Sequence, residues 1–324
     1  MIRAAPPMLA GVLATILAGH SVSAADVYQP SPEQEFVGTT LCGLEVREFI
    51  GGLASDAPCH AITWRLMLRP SPAPTWKLAA TYGVPAKSNP NVMVDGPSVA
   101  LQGTWRTVTA ARSAPGATRH QLTREGMGRS LSFAEIHGDL LHLLADDGGL
   151  MVGNSGWSYT LNRAGRAEKP GEVSRAADMS YTISPRATGS MVSGVFEGRT
   201  PCRGISHQMK LPEMDGCLKV KWRVTLYQDP ATAAATTYKI ESTLHRQRAR
   251  EGTWKILRRP SDSSESVLYQ LDATPTEGAI RLLKGDDNVF FFVDEQFRPL
   301  IGTAEFSYTL NRVPSRVPGD NSRR

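Results

Sequence analysis

Short alternating runs of apolar and polar residues dominate the chain. In Ile62–Leu68 the residues Trp64, Leu66 and Leu68 alternate with Arg65 and Met67, and in Val220–Leu226 the residues Trp222, Val224 and Leu226 alternate with Arg223 and Thr225. Ser158–Asn162 places Tyr159 and Leu161 on one side. A period of two predicts half-buried antiparallel strands. Phe290-Phe291-Phe292-Val293 is apolar throughout and predicts a strand wetted on neither face. Pro and Gly, 22 and 29 in number, interrupt the pattern so often that little room is left for helices.

The pattern is written twice. Ser158-Tyr159-Thr160-Leu161-Asn162-Arg163 recurs letter for letter as Ser307-Tyr308-Thr309-Leu310-Asn311-Arg312, 149 residues later. Gly103-Thr104-Trp105-Arg106 matches Gly252-Thr253-Trp254-Lys255 at the same offset, and the two Trp-Arg strands match at an offset of 158. Phe36-Val37-Gly38 and Cys42 match Phe196-Glu197-Gly198 and Cys202 at 160. Four landmarks in one order with drifting offsets mean duplication with small loop changes. The modules are expected at 36–163 and 195–312, each with its own core, joined by a linker at 164–194 and followed by a disordered tail at 313–324. Met179–Ile183 reads as a short strand within the linker. The fold class is all-β: two tandem small antiparallel barrels, since closure removes exposed sheet edges.

The first 24 residues break the pattern. Arg3 is the only charge before Asp26, Met8–Ala18 is apolar, and Val22-Ser23-Ala24 places small residues before a cut. This reads as a secretory signal peptide, too short for a stable membrane span. The mature protein is expected to be periplasmic or secreted and soluble, without a transmembrane segment. No Cys follows the cut, so no lipid anchor is expected. An apolar share of 41% excludes wholesale disorder, and a net charge of +5, spread thinly, gives no argument for a nucleic-acid partner.

Export makes the cysteines readable as disulfides. Each module has two, with 16 residues between Cys42 and Cys59 and 14 between Cys202 and Cys217. Both second cysteines stand five residues before the tryptophan of the Trp-Arg strand. The repeat therefore pairs Cys42 with Cys59 and Cys202 with Cys217.

Gly194-Val195-Phe196-Glu197-Gly198-Arg199-Thr200-Pro201-Cys202 resembles the G-x-Y-x-G-x-x-P-C opening of NlpE N-terminal domains. That family continues with a second Cys, a strand, a later G-T-W and a closing Y-T-L; here these are Cys217, Val220–Leu226, Gly252-Thr253-Trp254 and Tyr308-Thr309-Leu310. The first module matches through Cys42, Cys59, Ile62–Leu68, Gly103–Trp105 and Tyr159–Leu161. The family's cysteines are typically two residues apart, and its best-known member is lipidated and ends in an OB-like domain; this chain departs on all three points. The resemblance implies a lipocalin-like barrel and a role in copper tolerance or envelope-stress response through an envelope protein partner.

Copper prefers soft ligands. When reduced, Cys202 and Cys217 with His207, Met209 and Met214 form a candidate Cu(I) set, although the first loop has no equivalent Met and His60 has no counterpart. No other cofactor is expected. His137 and His142 flank Gly138-Asp139 and read as surface or turn histidines. Arg246, Arg248 and Arg250 alternate and would share one solvated sheet face, or one that meets an anionic partner. Asp146-Asp147 and Asp294-Glu295 suit turns. No serine-hydrolase elbow, zincin or phosphate-loop motif is present, and the chain is expected not to be an enzyme. Trp64, Trp105, Trp222 and Trp254 pack a core or line a cavity. The alternatives to an envelope protein are a lipocalin-like carrier of a small apolar ligand and a secreted inhibitor or interaction module.

Overall fold

A computed structural model describes residues 33–314 apart from 52–57, 71, 87–92, 95, 109–116, 127–128, 167–190, 213, 215 and 261–264. The leader, the Met179–Ile183 segment and the end of the tail lie outside the described residues. The first module comprises β1 (Gln34–Leu41), helix α1 (Leu44–Ile50), β2 (Ala61–Arg69), β3 (Thr75–Pro85), β4 (Met93–Val94), β5 (Ser98–Val108), β6 (Thr118–Thr123), β7 (Ser130–Ile136), β8 (Leu140–Leu144) and β9 (Thr160–Arg163). All pairings are antiparallel, and the ring β2-β1-β9-β8-β7-β6-β5-β3 closes where β3 returns to β2. The two-residue β4 pairs only with the end of β3. The second module repeats the plan with β10 (Met191–Thr200), helix α2 (Arg203–Gln208), β11 (Val220–Gln228), β12 (Ala235–Ser242), β13 (Arg250–Pro260), β14 (Glu265–Leu271), β15 (Ile280–Lys284), β16 (Val289–Phe292) and β17 (Thr309–Arg312), again closed. Two up-and-down barrels of eight strands therefore follow each other in the chain.

The repeated letters are repeated registers. Gly38 stands opposite Trp64, and Gly198 opposite Trp222. The Gly of each Gly-Thr-Trp landmark lies under a ring from the neighbouring strand. A Cβ at Gly103 would meet the Trp76 ring at 2.9 Å, and one at Gly252 the Tyr238 ring at 2.9 Å. Only glycine leaves room for that aromatic to lie flat across the strand.

Each barrel has its own core. Trp64, Leu66, Trp76, Leu78 and Phe133 belong to the first, and Phe196, Trp222, Val224, Tyr238 and Phe292 to the second. Each fully buried Leu or Phe side chain contributes about 1.5–3 kcal/mol. A third cluster joins the modules: Ala134, Ile136, Leu140, Leu144 and Leu150 pack with Leu268, Leu283, Val289, Phe291 and Val293. Phe290-Phe291-Phe292-Val293 is dry on both faces for this reason. Phe290 and Phe292 point into their own barrel, and Phe291 and Val293 into the shared cluster.

Two details differ from the sequence reading. A short helix forms in each inter-cysteine loop. In α1, Val46, Phe49 and Ile50 are buried, and Gly51, at φ 69°, stops the helix with its N–H on the Arg47 carbonyl. Six or seven residues hold too few turns for a helical period to stand out. The first strand of the second module begins at Met191, inside the stretch read as linker.

Candidate functional site

The duplicated hexapeptides meet each other. Alternation sends Tyr159 and Leu161 into the first core and Tyr308 and Leu310 into the second. Ser158, Thr160 and Asn162 must then point outward, as must Ser307, Thr309 and Asn311. They are nevertheless buried, because the outward faces touch. Ser158 Oγ lies 2.7 Å from Ser307 Oγ, and Thr160 Oγ1 lies 3.0 Å from Thr309 Oγ1. Asn162 donates through Nδ2 to the Thr303 carbonyl at 2.8 Å and accepts from the Gly302 N–H at 2.8 Å. Asn311 accepts from the Gly153 N–H at 2.8 Å, the equivalent bond from the other side. Each residue pairs with its own repeat or its partner's equivalent, the pattern of an isologous dimer interface built within one chain.

His142 sits on this pseudo-two-fold seam. Its ring meets the Phe291 ring edge-on at 5.6 Å, and Phe291 is its own equivalent in the second module. Nε2 is 2.9 Å from the Met151 carbonyl, which can only accept, so Nε2 carries the proton. Nδ1 therefore accepts from the Thr160 hydroxyl at 2.8 Å, and Thr160 in turn accepts from Thr309. Ser307 donates to Thr309 at 3.0 Å. Burial pushes the imidazole down to about 4, so the ring is neutral at neutral pH.

Beside the hydroxyl ladder the seam opens into a small cleft. Thr39, Gly156, Trp157, Arg199, Glu305, Phe306 and Asn311 line it together with the ladder residues. The Arg199 guanidinium lies 5.7 Å from the centre of the Trp157 ring. Trp157 Nε1 and Asn311 Nδ2 are buried there without a hydrogen-bond partner. Lys219 stands at the rim with its ammonium 5.4 Å from the Phe306 ring, and burial, reinforced by Arg199 and Lys221, pushes it down to about 8.

The cysteines pair within modules, Cys42 with Cys59 and Cys202 with Cys217, at Cα separations of 5.7 and 6.0 Å. As folded, the candidate copper set does not fit the metal. Both sulfurs are spent in the disulfide, Met209 is fully buried with Met214 packed beside the same core, and His207 is exposed. Among the described residues no three His, Cys, Asp or Glu side chains are grouped to hold a metal. No described helix is long and apolar enough to cross a membrane.

His137 takes the expected turn position, with φ 52° followed by Gly138 at 74°. His142 does not: it is completely buried, because the second barrel covers its face of β8. The shared face of Arg246, Arg248 and Arg250 is also corrected. Arg246 and Arg248 lie in the bend before β13, where no strand sets an alternation, and Arg250 opens the strand and is buried. Arg250 binds Tyr238 Oη, Glu277 and the carbonyls of Asp272 and Gly278, and His245 reaches the same Glu277 at 3.0 Å. Four of the five guanidinium N–H groups are thus used to hold the barrel end, a role hidden in sequence because Glu277 lies 27 residues away. Asp146 and Asp147 lie in the turn after β8, and Asp294 caps its own turn by accepting the Gln296 and Arg298 N–H groups. Trp64, Trp222 and Trp254 are core residues whose indole N–H groups bind Thr40, Thr200 and the Tyr227 carbonyl at 2.7–2.8 Å, while Trp105 is half-buried.

No family model, curated protein or solved structure matches the chain.

Proposed function

We propose that this is an exported, non-enzymatic, NlpE-like envelope protein that acts through contacts with a protein partner in copper tolerance or envelope-stress response. The observation that carries the reading is the buried aromatic packing, among the described residues, and the disulfide of each barrel. Indoles with bonded N–H groups and tilted phenyl rings occupy the interiors, such as Trp222 against Phe292 at 5.4 Å. Recognition is then left to the outer surface and the seam. The two disulfides fit an oxidising compartment. The same packing weighs against a lipocalin-like carrier, which needs an open interior.

The test is a deletion strain challenged with copper and with agents that damage the envelope, alongside crosslinking in the periplasm. Sensitivity restored by the intact chain, with one crosslinked partner whose loss gives the same sensitivity, is the expected result. Normal growth under both challenges would overturn the reading.

A further inference from the structure

We infer that residues 98–103 of β5 form a docking edge for an extended segment of a partner protein, which adds to the first barrel as a further strand. β5 outruns its neighbour on one side. β3 pairs with it from Ser98 to Thr104, whereas β6 joins only at Thr104 and runs beside it to Val108. Among the described residues no strand lies on the β6 side of residues 98–103. The Tyr82 N–H binds the Pro97 carbonyl and the Trp105 N–H binds the Pro74 carbonyl, so the odd-numbered residues of β5 turn their backbone groups to β3. Ser98, Ala100 and Gln102 therefore turn their N–H and C=O groups to the open side. All three residues are exposed.

These groups set the class of occupant. Donors and acceptors that recur at every second residue, about 7 Å apart, match the backbone of another strand. The side chains agree with this. Val99 and Leu101 pack against the core yet are only half-buried, where β6 no longer runs beside them. A strand laid there would bring apolar side chains against them at alternate positions. Its outward residues would lie beside Ser98, Ala100 and Gln102, none of them charged. Exposed edges are ordinarily guarded by charge, proline or brevity, and residues 98–103 carry no charge. The occupant is thus an extended segment of about six residues, apolar at alternate positions and held chiefly by main-chain hydrogen bonds.

The second copy closes the same place. An offset of 149 sets residues 98–103 against residues 247–252. There β13 begins only at Arg250, and Gln247 and Arg248 lie in a bend. Leu101 is replaced by Arg250, whose guanidinium binds the Asp272 and Gly278 carbonyls at the barrel end. Two copies of one fold differ in whether this edge is offered. The inference rests on the protein-partner reading and names the class of partner; it requires no part in copper tolerance or envelope stress.

The experiment uses the full oxidised protein and a lysine-capped peptide of alternating threonine and valine, with amide hydrogen exchange read by nuclear magnetic resonance. In the free protein the Ser98, Ala100 and Gln102 amides should exchange faster than those of Val99 and Leu101, which belong to the β3 ladder. Saturating peptide should slow these three by about tenfold or more. Methylating alternate backbone nitrogens blocks one edge of the peptide, so one of the two alternately methylated forms should bind and the other should not. Ala100→Pro removes an edge donor without entering the β3 ladder and should weaken binding by about tenfold. The methylated pair decides the matter if that variant does not fold. Edge amides already slow in the free protein, no protection by peptide, or methylated forms that behave alike overturns the edge. A dimer of the intact chain that Ala100→Pro abolishes would hand the edge to a second copy and overturn a partner segment. Normal growth of the deletion strain would remove the proposed role and leave the docking edge, measured on purified protein, standing.

Discussion

At the scale of single residues, the seam is held by groups whose value depends on being neutral and paired. His142 is the sharpest case. Its folded-state value of about 4 lies below the ordinary 6.5, so the unfolded chain takes up a proton in that window and the folded chain does not. Stability contributed at neutral pH is therefore lost as pH falls from about 6.5 to about 4, by roughly 3 kcal/mol at most. His142→Gln should flatten that part of the profile, measured by urea unfolding from pH 7.5 to 4.5; an unchanged slope would place the pH dependence elsewhere. The paired tryptophans give a second prediction. Trp64 and Trp222 make the same bond, 2.8 Å to Thr40 and Thr200, inside equivalent cores. Trp64→Phe and Trp222→Phe should each cost about 2 kcal/mol, through the lost bond and the smaller ring, and the two losses should agree closely. Denaturation of the two variants side by side tests the equivalence. The tryptophans were legible in sequence because their partners lie in the same repeated unit. The burial of His142 was not, because Phe291 lies 149 residues away.

At the scale of elements, alternation and repetition located the Trp-Arg strands, the closing strands and the Phe290–Val293 strand, and the two unexpected helices have a common cause. Helices α1 and α2 lie inside loops closed by disulfides, where short apolar sets such as Val46, Phe49 and Ile50 find a core only because the staple brings the loop back. Removing either staple should cost about 3 kcal/mol by the loop-entropy estimate for ~15 residues. Cys42→Ser with Cys59→Ser, and separately Cys202→Ser with Cys217→Ser, should therefore each lower the melting temperature and leave the β-type circular dichroism spectrum. Loss of that spectrum in either double variant would show that the staple is required for folding and not only for stability. Competition for Cu(I) against a chelator belongs to the same element. The oxidised protein should take none, since its thiolates are spent.

At the scale of the whole molecule, the two barrels behave as a dimer made covalent. The shared cluster buries Phe291, Val293 and Leu283 of the second barrel against Leu140, Leu144 and Ile136 of the first. Residues 191–314 expressed alone should fold, since their own core is complete, but should expose that patch. An exposed apolar patch with built-in pseudo-two-fold complementarity should drive self-association through the same seam. Light scattering on the isolated barrel should show a concentration-dependent dimer, and Phe291→Asp should return it to a monomer. A wild-type barrel that stays monomeric at tens of micromolar would mean that the seam is held together by the tether.

The sequence by itself determined the alternation of Ile62–Leu68, Val220–Leu226 and Ser158–Asn162, the duplication and the pairing of the cysteines, because these depend on neighbours within one short repeating unit. It also placed Tyr159 and Leu161 on one side, which leaves Ser158, Thr160 and Asn162 on the other. What covers that side was decided only in three dimensions. Alternation says which residues share a face, and it carries no information on whether water or a second barrel lies against it. The hydroxyl ladder, the buried imidazole and the cleft of Trp157, Arg199 and Asn311 all arise from that one packing choice, between residues 42 to 149 positions apart.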